Sequence, residues 1–141
     1  MEHTGLKDIL KGVGTGFYHI EINEEGHYIH IITNFLDHTN DSIDCYIYKE
    51  DDTYYLTDDG WFRSEVSMAG LDYQQLEGRI DRLRNRYFGV ISDTQQEAFK
   101  LPLSSEEDIA ITTAHFIQFL VEGYGLLAHE MINNRGGKST I

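Results

Sequence analysis

The stretch of residues 35–60 reads FLDHTNDSIDCYIYKEDDTYYLTDDG. Within it, Ile43, Cys45 and Ile47 alternate with polar or aromatic residues, and this period of two predicts a half-buried β-strand. Acidic residues open this strand, reverse the chain at Glu50-Asp51-Asp52, and close a second strand at Asp58-Asp59-Gly60. The stretch therefore predicts two strands with three acidic turns, one before the first strand, one between the strands and one after the second.

Negative charge is concentrated in this hairpin. Between Asp37 and Asp59 there are eight carboxylates and one base, Lys49, a local balance of −7 within a net charge of −13 for the chain. Such a chain is repelled by nucleic acids and by anionic membranes, and it is attracted to basic surfaces. An acidic surface also keeps a protein soluble, so charge alone does not identify a partner.

The same stretch, extended to residues 32–60, resembles a bacterial and phage family catalogued as a domain of unknown function. The family has a T-P-F-x-D segment, an N-D pair, a strand and a T-D-D-G turn at this spacing. The matching residues are Thr33, Phe35, Asp37, Asn40, Asp41, Thr57, Asp58, Asp59 and Gly60. Asn34 stands where the family usually has proline. The resemblance implies a compact α+β domain, often found in mobile elements, and it implies no particular activity.

Length and composition favour one folded, cytoplasmic domain. The 141 residues suffice for one hydrophobic core, and 40% hydrophobic with 12% aromatic residues argue against disorder. A single cysteine cannot form an internal disulfide, which favours a reducing compartment. No signal peptide and no membrane span is expected. We predict one α+β domain over residues 1–132 and a flexible C-terminal tail over residues 133–141.

The remaining elements follow from periodicity. A short helix is predicted around Leu6–Val13, and the glycine-rich segment 12–16 ends it and leads into a strand. A phosphate-binding loop would instead follow a strand and precede a helix, so this segment is not predicted to bind phosphate. Further predictions are a first hairpin before residue 34, helices over residues 61–69 and 73–88, and a final hairpin stopped by Pro102. A capping box over residues 104–107 begins a long C-terminal helix. The predicted fold is α+β, with antiparallel hairpins packed against a short N-terminal helix, a middle pair of helices and a long C-terminal helix.

The middle helix carries four arginines, at positions 79, 82, 84 and 86. One interpretation is a face that binds phosphate or nucleic acid. The other is internal pairing with the acidic turns, since arginine suits carboxylates. The net charge favours internal pairing.

Catalytic chemistry has limited support. Asp41, Asp44, Asp58 and Asp59 could hold a divalent cation in a nuclease-like site, although Asp-Asp-Gly is also a common turn sequence. The histidine spacings favour no metal site, and Cys45 is expected to be a buried, inert thiol. We therefore predict no catalytic residue, no metal and no cofactor.

The leading hypothesis is a small non-enzymatic inhibitor of phage or mobile-element origin. Its acidic hairpin would mimic nucleic acid and block the basic nucleic-acid-binding surface of a bacterial defence enzyme, such as a CRISPR effector nuclease. The predicted contact residues are Asp37, Asp41, Asp44, Tyr46, Tyr48, Glu50, Asp51, Asp52, Asp58 and Asp59. One alternative is the metal-dependent nuclease just described. The other is an antitoxin or adaptor module that binds a basic protein.

Overall fold

The computed structural model describes residues 8, 10, 20–25, 28–87, 89–103 and 108–139. The strands are β1 (Ile20–Glu25), β2 (Tyr28–Leu36), β3 (Ser42–Glu50), β4 (Thr53–Thr57), β5 (Ile91–Asp93) and β6 (Ala98–Leu103). Three described helices follow the first four strands of the chain. They are α1 (Trp61–Met68), α2 (Gln74–Arg86) and α3 (Ile109–Ser139). The strands form one antiparallel sheet in the order β1-β2-β3-β4-β6-β5.

One face of this sheet is apolar because of the period of two predicted for β3. Ile43, Cys45 and Ile47 are 0–3% exposed, and Ile29 and Ile31 of β2 lie beside them with 0% exposure. Successive side chains of a strand point to opposite faces, so the residues between these five belong to the other face. The prediction of a half-buried hairpin is confirmed.

The helices cover the apolar face. Helix α2 contributes Leu76, Ile80 and Leu83, whose spacings of four and three place them on one side of a helix. Helix α1 contributes Phe62 and Val66, which are four residues apart. All five belong to one core with the strands and with the apolar stripe of α3.

Phe62 lies at the centre of this core. Its ring centroid is 5.2 Å from that of Tyr124 on α3, 5.7 Å from that of Phe99 on β6, and 6.5 Å from that of Tyr73. Two of these contacts are edge-on, an arrangement that adds about 0.5–1.5 kcal/mol per pair beyond the area buried. Phe62 therefore connects α1 to the strand and helix that follow much later in the chain.

The fold class is confirmed as a single α+β domain with a long C-terminal helix. Asp8 and Leu10 are helical, and Leu10 is buried in the core. The rest of the predicted N-terminal helix, glycines 12–16 and the capping box over residues 104–107 lie outside the described residues.

One predicted strand end was wrong. Pro102 does not stop β6, which continues to Leu103. Past Lys100, β6 pairs with β4 on one side and no longer with β5, so the missing N–H of Pro102 is tolerated as at a sheet edge. Helix α3 continues past Asn133 to Ser139.

Within the described part of the chain, no helix is both long enough and apolar enough to span a bilayer.

Candidate functional site: an acidic pocket beside an open tyrosine face

The second face of the sheet is rich in aromatic side chains. We call it the outer face, and it consists of Tyr28, His30, Asp44, Tyr46, Tyr48 and Tyr55. These positions alternate with core positions along β2, β3 and β4. Tyr28 is 51% exposed, and the other five are partly buried. The described helices bury their apolar residues in the core on the opposite face, and α1 borders the outer face through Trp61 and Glu65, which line one pocket together with Asp44 and Tyr46.

The side chains of the outer face contact one another across strands. His30 stacks on Tyr46 with ring centroids 4.6 Å apart, and Tyr48 stacks on Tyr55 at 5.6 Å. Asp44 accepts a hydrogen bond from Ser42 at 2.7 Å and lies 2.9 Å from Nε2 of His30. The predicted site residues Asp44, Tyr46 and Tyr48 are thus brought together, and His30 neutralises part of the charge when it is protonated.

The β3–β4 turn lies at one end of the outer face. Glu50, Asp51 and Asp52 are all exposed, and Asp51 has a positive φ of 54°. Glu50 and burial together raise the pKa of the neighbouring Tyr48 to about 12. The three predicted contact residues of this turn are therefore displayed to solvent.

The turn at Asp58 is different, because its carboxylate is inside the protein. Asp58 is 1% exposed. Its Oδ1 accepts from the backbone N–H of Phe99 at 2.9 Å and from that of Gly60 at 3.2 Å, while Oδ2 accepts from that of Phe62 at 3.0 Å. Burial raises the pKa of Asp58, and the three backbone donors oppose that rise. Asp58 holds α1 and β6 together and does not belong to an exposed contact surface.

The other residues of the T-D-D-G turn stabilise the backbone conformation of this turn. Thr57 Oγ1 accepts from the backbone N–H of Asp59 at 3.0 Å. Asp59 and Gly60 have φ values of 56° and 80°. A Cβ on Gly60 would lie 3.3 Å from the backbone oxygen of Glu97, so the β5–β6 turn crowds this position. Asp59 itself remains exposed, in a depression of about 400 Å³ that Tyr28, Tyr46 and Tyr48 also line.

The turn between β2 and β3 is built around Asp37. Its Oδ1 accepts from the backbone N–H of Thr39 at 2.8 Å, from the hydroxyl of Thr39 at 2.7 Å and from the backbone N–H of Asp41 at 3.1 Å. Asn40 supports the turn with a φ of 66°. These bonds explain locally why an aspartate, a threonine and an asparagine occur together here.

An acidic pocket opens beside this turn. Strand β4 ends at Thr57, opposite Tyr46, whereas β3 continues to Ser42, so the first four residues of β3 have no paired strand on that side in the described sheet. Helix α1 and Tyr124 of α3 close the gap. The pocket has a volume of about 300 Å³ and is lined by Asp37, Asp41, Ser42, Asp44, Tyr46, Trp61, Glu65 and Tyr124.

The charges in the acidic pocket repel one another. Burial raises the pKa of Glu65, Asp37 and Asp41 raise it further, and His38 opposes the rise. The pKa of Tyr124 is also raised, first by burial and then by surrounding carboxylates that include Asp58 and Glu65. A positive group in the pocket would relieve this repulsion.

A set of potential metal ligands lies at this pocket. One donor atom each of Asp37, His38 and Glu65 lies within 4.8 Å of the other two. The predicted set of Asp41, Asp44, Asp58 and Asp59 is not assembled in this way, because the oxygens of Asp58 already accept backbone hydrogen bonds and Asp59 lines a different depression.

Sequence analysis missed four residues of this region, His38, Trp61, Glu65 and Tyr124. His38 carried a usable signal, because it follows Asp37 directly in the acidic turn. Glu65 and Tyr124 lie 27 and 86 positions after His38 in the sequence, so no local pattern links them to it.

The arginines of α2 pair with helices and not with the acidic turns. Arg79 Nη2 lies 2.7 Å from Glu130 of α3, and Arg84 Nη2 lies 3.0 Å from Asp81 of its own helix. Arg86 reaches Glu122 at 4.0 Å. The favoured interpretation was right that pairing is internal and wrong about the partners. The carboxylates of the hairpin are therefore not neutralised by these three guanidinium groups.

Cys45 fits no nucleophilic role. It is 0% exposed, and burial together with Asp44 and Asp58 raises the pKa of its thiol well above the usual range. A thiol that stays protonated is a poor nucleophile.

Comparison with known proteins gives one match. A sequence model of the family described as "Domain of unknown function DUF1828" matches residues 33–122. No curated protein and no solved structure matches the chain significantly. The matched segment begins at Thr33 and includes the turns at Asp37 and Asp58.

Proposed function

We propose that this chain, which belongs to the DUF1828 family of domains of unknown function, is a non-enzymatic protein that binds a basic partner protein through its outer face and the adjoining acidic turns. The observation that carries the proposal is the outer face itself. Stacked tyrosines occupy this sheet surface, and exposed carboxylates lie at its edge.

The tyrosines supply the contact area that such binding needs. Tyrosine is enriched among the residues that dominate binding energy at protein interfaces, because it buries a large ring and still offers a hydroxyl. Tyr46, Tyr48 and Tyr55 are already held by stacking partners on the neighbouring strands. Less side-chain entropy is then lost on binding than with freely rotating rings.

The carboxylates indicate that the partner surface carries positive charge. Glu50, Asp51, Asp52 and Asp59 are exposed around the outer face, and Asp44 lies on it. Opposing charge is also present nearby, since Lys49 directly precedes Glu50 and the Nζ of Lys100 lies 5.1 Å from the centre of the Tyr55 ring and 3.5 Å from Asp93. A surface of this kind accelerates encounter with a basic protein by electrostatic steering.

The structure narrows the proposed contact set. Asp58 leaves it because it is buried, and Asp37 contributes through its charge more than through contact, since Oδ1 is engaged in the turn. The proposed contacts are Asp41, Asp44, Tyr46, Tyr48, Glu50, Asp51, Asp52 and Asp59, joined by Tyr28 and Tyr55.

The partner we propose is a basic nucleic-acid-binding protein of the bacterial host. Blocking its nucleic-acid surface would make the chain an inhibitor, and a CRISPR effector nuclease bound by a phage or mobile-element product is the leading example. Binding without inhibition would instead make the chain an antitoxin-like or adaptor module.

Affinity capture from bacterial lysate, at about 50 mM and about 500 mM salt, tests the proposal. We expect a basic protein to be retained at low salt and largely lost at high salt, because exposed charges are screened over about 10 Å at 0.1 M salt. The captured protein is then purified, and its association and dissociation rates with the chain are measured. Inhibition of its nucleic-acid binding separates the inhibitor from the adaptor.

Two matched charge reversals locate the surface. The double substitution Glu50→Lys with Asp52→Lys should slow association at least tenfold at low salt. Asp8→Lys with Glu77→Lys changes the net charge by the same amount on two exposed helical residues that are not part of the outer face, and it should have a much smaller effect. Tyr48→Ala should mainly speed dissociation, by about tenfold or more. Equal effects of the two double substitutions would remove the outer face from the proposal.

A further inference from the structure

We propose that Asp37, His38 and Glu65 form a binding site for a divalent transition-metal ion at the mouth of the acidic pocket. One donor atom of each residue lies within 4.8 Å of the others. Tetrahedral ligands of one ion at about 2.1 Å lie about 3.4 Å apart, so a pair at the 4.8 Å limit would have to approach by about 1.4 Å. This site goes beyond the proposed function and does not depend on it.

His38 is the observation that distinguishes this site from a simple group of acidic side chains. Its side chain is 10% exposed, and Nδ1 is buried with no hydrogen-bond partner in the described part of the chain. Its Nε2 lies 3.5 Å from Oε2 of Glu65, too long for a strong hydrogen bond. The ring is packed against Tyr124, with centroids 6.4 Å apart and planes 24° from parallel. An imidazole is thus buried and oriented beside two carboxylates without the hydrogen bonds that usually satisfy it.

Asp37 is held ready by its turn. Three donors from Thr39 and Asp41 fix Oδ1, and no hydrogen bond to Oδ2 occurs among the described residues. A carboxylate with one oxygen fixed and the other available is oriented as metal-ligating carboxylates commonly are, by hydrogen bonds behind the ligand.

The electrostatics favour a cation of charge two at this position. Glu65 is only 15% exposed, and the acidic pocket that it lines also contains Asp37 and Asp41. Asp44 also lines the pocket. A divalent cation would compensate several of these charges together, whereas Arg63 of α1 lies over the ring of Tyr73 at 3.9 Å from its centre, and Arg79 and Arg84 pair with Glu130 and Asp81.

The donor types indicate the class of metal. Imidazole suits Zn²⁺, Fe²⁺, Co²⁺ and Ni²⁺, whereas Mg²⁺ and Ca²⁺ prefer oxygen ligands alone. One imidazole and two carboxylates also leave coordination positions that face the pocket, where Asp41 could bind the ion through water. The proposed occupant is therefore a first-row transition-metal ion with an open coordination position.

The test is titration of the full chain, first dialysed against EDTA and then freed of it, with Mn²⁺, Co²⁺ and Zn²⁺ in separate calorimetric experiments. We expect one equivalent to bind, a visible absorption band on Co²⁺ binding, and a rise in Tm when the metal is present in excess. Mg²⁺ should bind at least tenfold more weakly than Mn²⁺. No saturable binding of any of the three transition metals up to about 1 mM would overturn the proposal, and so would tighter binding of Mg²⁺.

Matched variants assign the ligands. His38→Gln and Glu65→Gln should each weaken Co²⁺ binding at least tenfold and change or abolish the absorption band, a loss of the size seen when a site loses a supporting group. His129→Gln and Glu77→Gln remove the same residue types from exposed helical positions and should leave binding within twofold. If His38→Gln does not fold, as judged by circular dichroism, Glu65→Gln decides. Unchanged affinity in Glu65→Gln, or equal loss in the controls, would overturn the proposal.

These variants also separate the site from the proposed partner surface. Glu50→Lys with Asp52→Lys should retain one equivalent of Co²⁺, and Glu65→Gln should retain the captured partner. Loss of Co²⁺ binding in the charge-reversal variant would overturn the assignment of the ion to this pocket.

Discussion

The two Asp-Asp turns of the central hairpin have nearly the same sequence and opposite environments. Asp51-Asp52 joins β3 to β4 and is exposed, whereas Asp58-Asp59 follows β4 and has its first carboxylate 1% exposed. The difference comes from what surrounds each turn. Helix α1 begins directly after Asp58, and β6 lies beside β4, so backbone N–H donors converge on Asp58 from two later segments. The local sequence therefore does not determine whether an acidic turn is exposed to solvent or buried by hydrogen bonds to later segments of the chain.

The largest expected effect comes from Asp58→Ala. The substitution leaves the N–H groups of Gly60, Phe62 and Phe99 without their acceptor. Because unsatisfied buried groups and hydrogen bonds to charged groups each cost about 1–3 kcal/mol, we expect the free energy of unfolding to fall by about 2–4 kcal/mol. Urea denaturation at pH 7 measures it. Asp58→Asn keeps one acceptor oxygen and should lose less, and a loss below about 0.5 kcal/mol in the alanine variant would contradict the structural role.

A smaller effect is expected from Gly60→Ala, which tests how closely the β5–β6 turn packs against the buried turn at Asp58. Gly60 and Gly70 have similar φ values of 80° and 77°, but only Gly60 has an atom near the added Cβ, the Glu97 oxygen at 3.3 Å. The left-handed conformation costs a non-glycine residue about 1–2 kcal/mol. Both alanine variants should lose stability by about this amount in urea denaturation, with Gly60→Ala the worse. Equal losses would show that the β5–β6 turn does not crowd Gly60.

The smallest effect is expected at the exposed turn between β3 and β4. Glu50→Gln with Asp52→Asn removes two charges from exposed side chains. Exposed substitutions of this kind change the free energy of unfolding by no more than about 0.5 kcal/mol. The same urea experiment measures it, and a loss above about 1 kcal/mol would mean that this turn, too, is required by the fold.

Periodicity predicted most of the fold, because the relevant interactions are local. The alternation of Ile43, Cys45 and Ile47 identified the core face of β3, and the spacing of Leu76, Ile80 and Leu83 identified that of α2. Element ends were less predictable. Pro102 continues its strand only because β5 has ended beside it, and that depends on sheet topology.

The site was predicted in part for the same reason. Alternation placed Asp44, Tyr46 and Tyr48 on one face without knowledge of the fold. Partners far apart in sequence were not predictable: Arg79 finds Glu130, which is 51 residues away. The pocket beside His38 likewise forms only when α1 and α3, which are distant in sequence, pack beside the β2–β3 turn.

The bond between Asp58 and Phe99 joins residues that are 41 positions apart. During synthesis the chain emerges N-terminus first, so β4 and its carboxylate are made well before their donor in β6. The hydrogen bonds of Asp58 cannot be completed until the last hairpin has left the ribosome. A fragment that ends before residue 99 would carry this acid without its most distant donor, so the turn at Asp58 depends on a segment made much later.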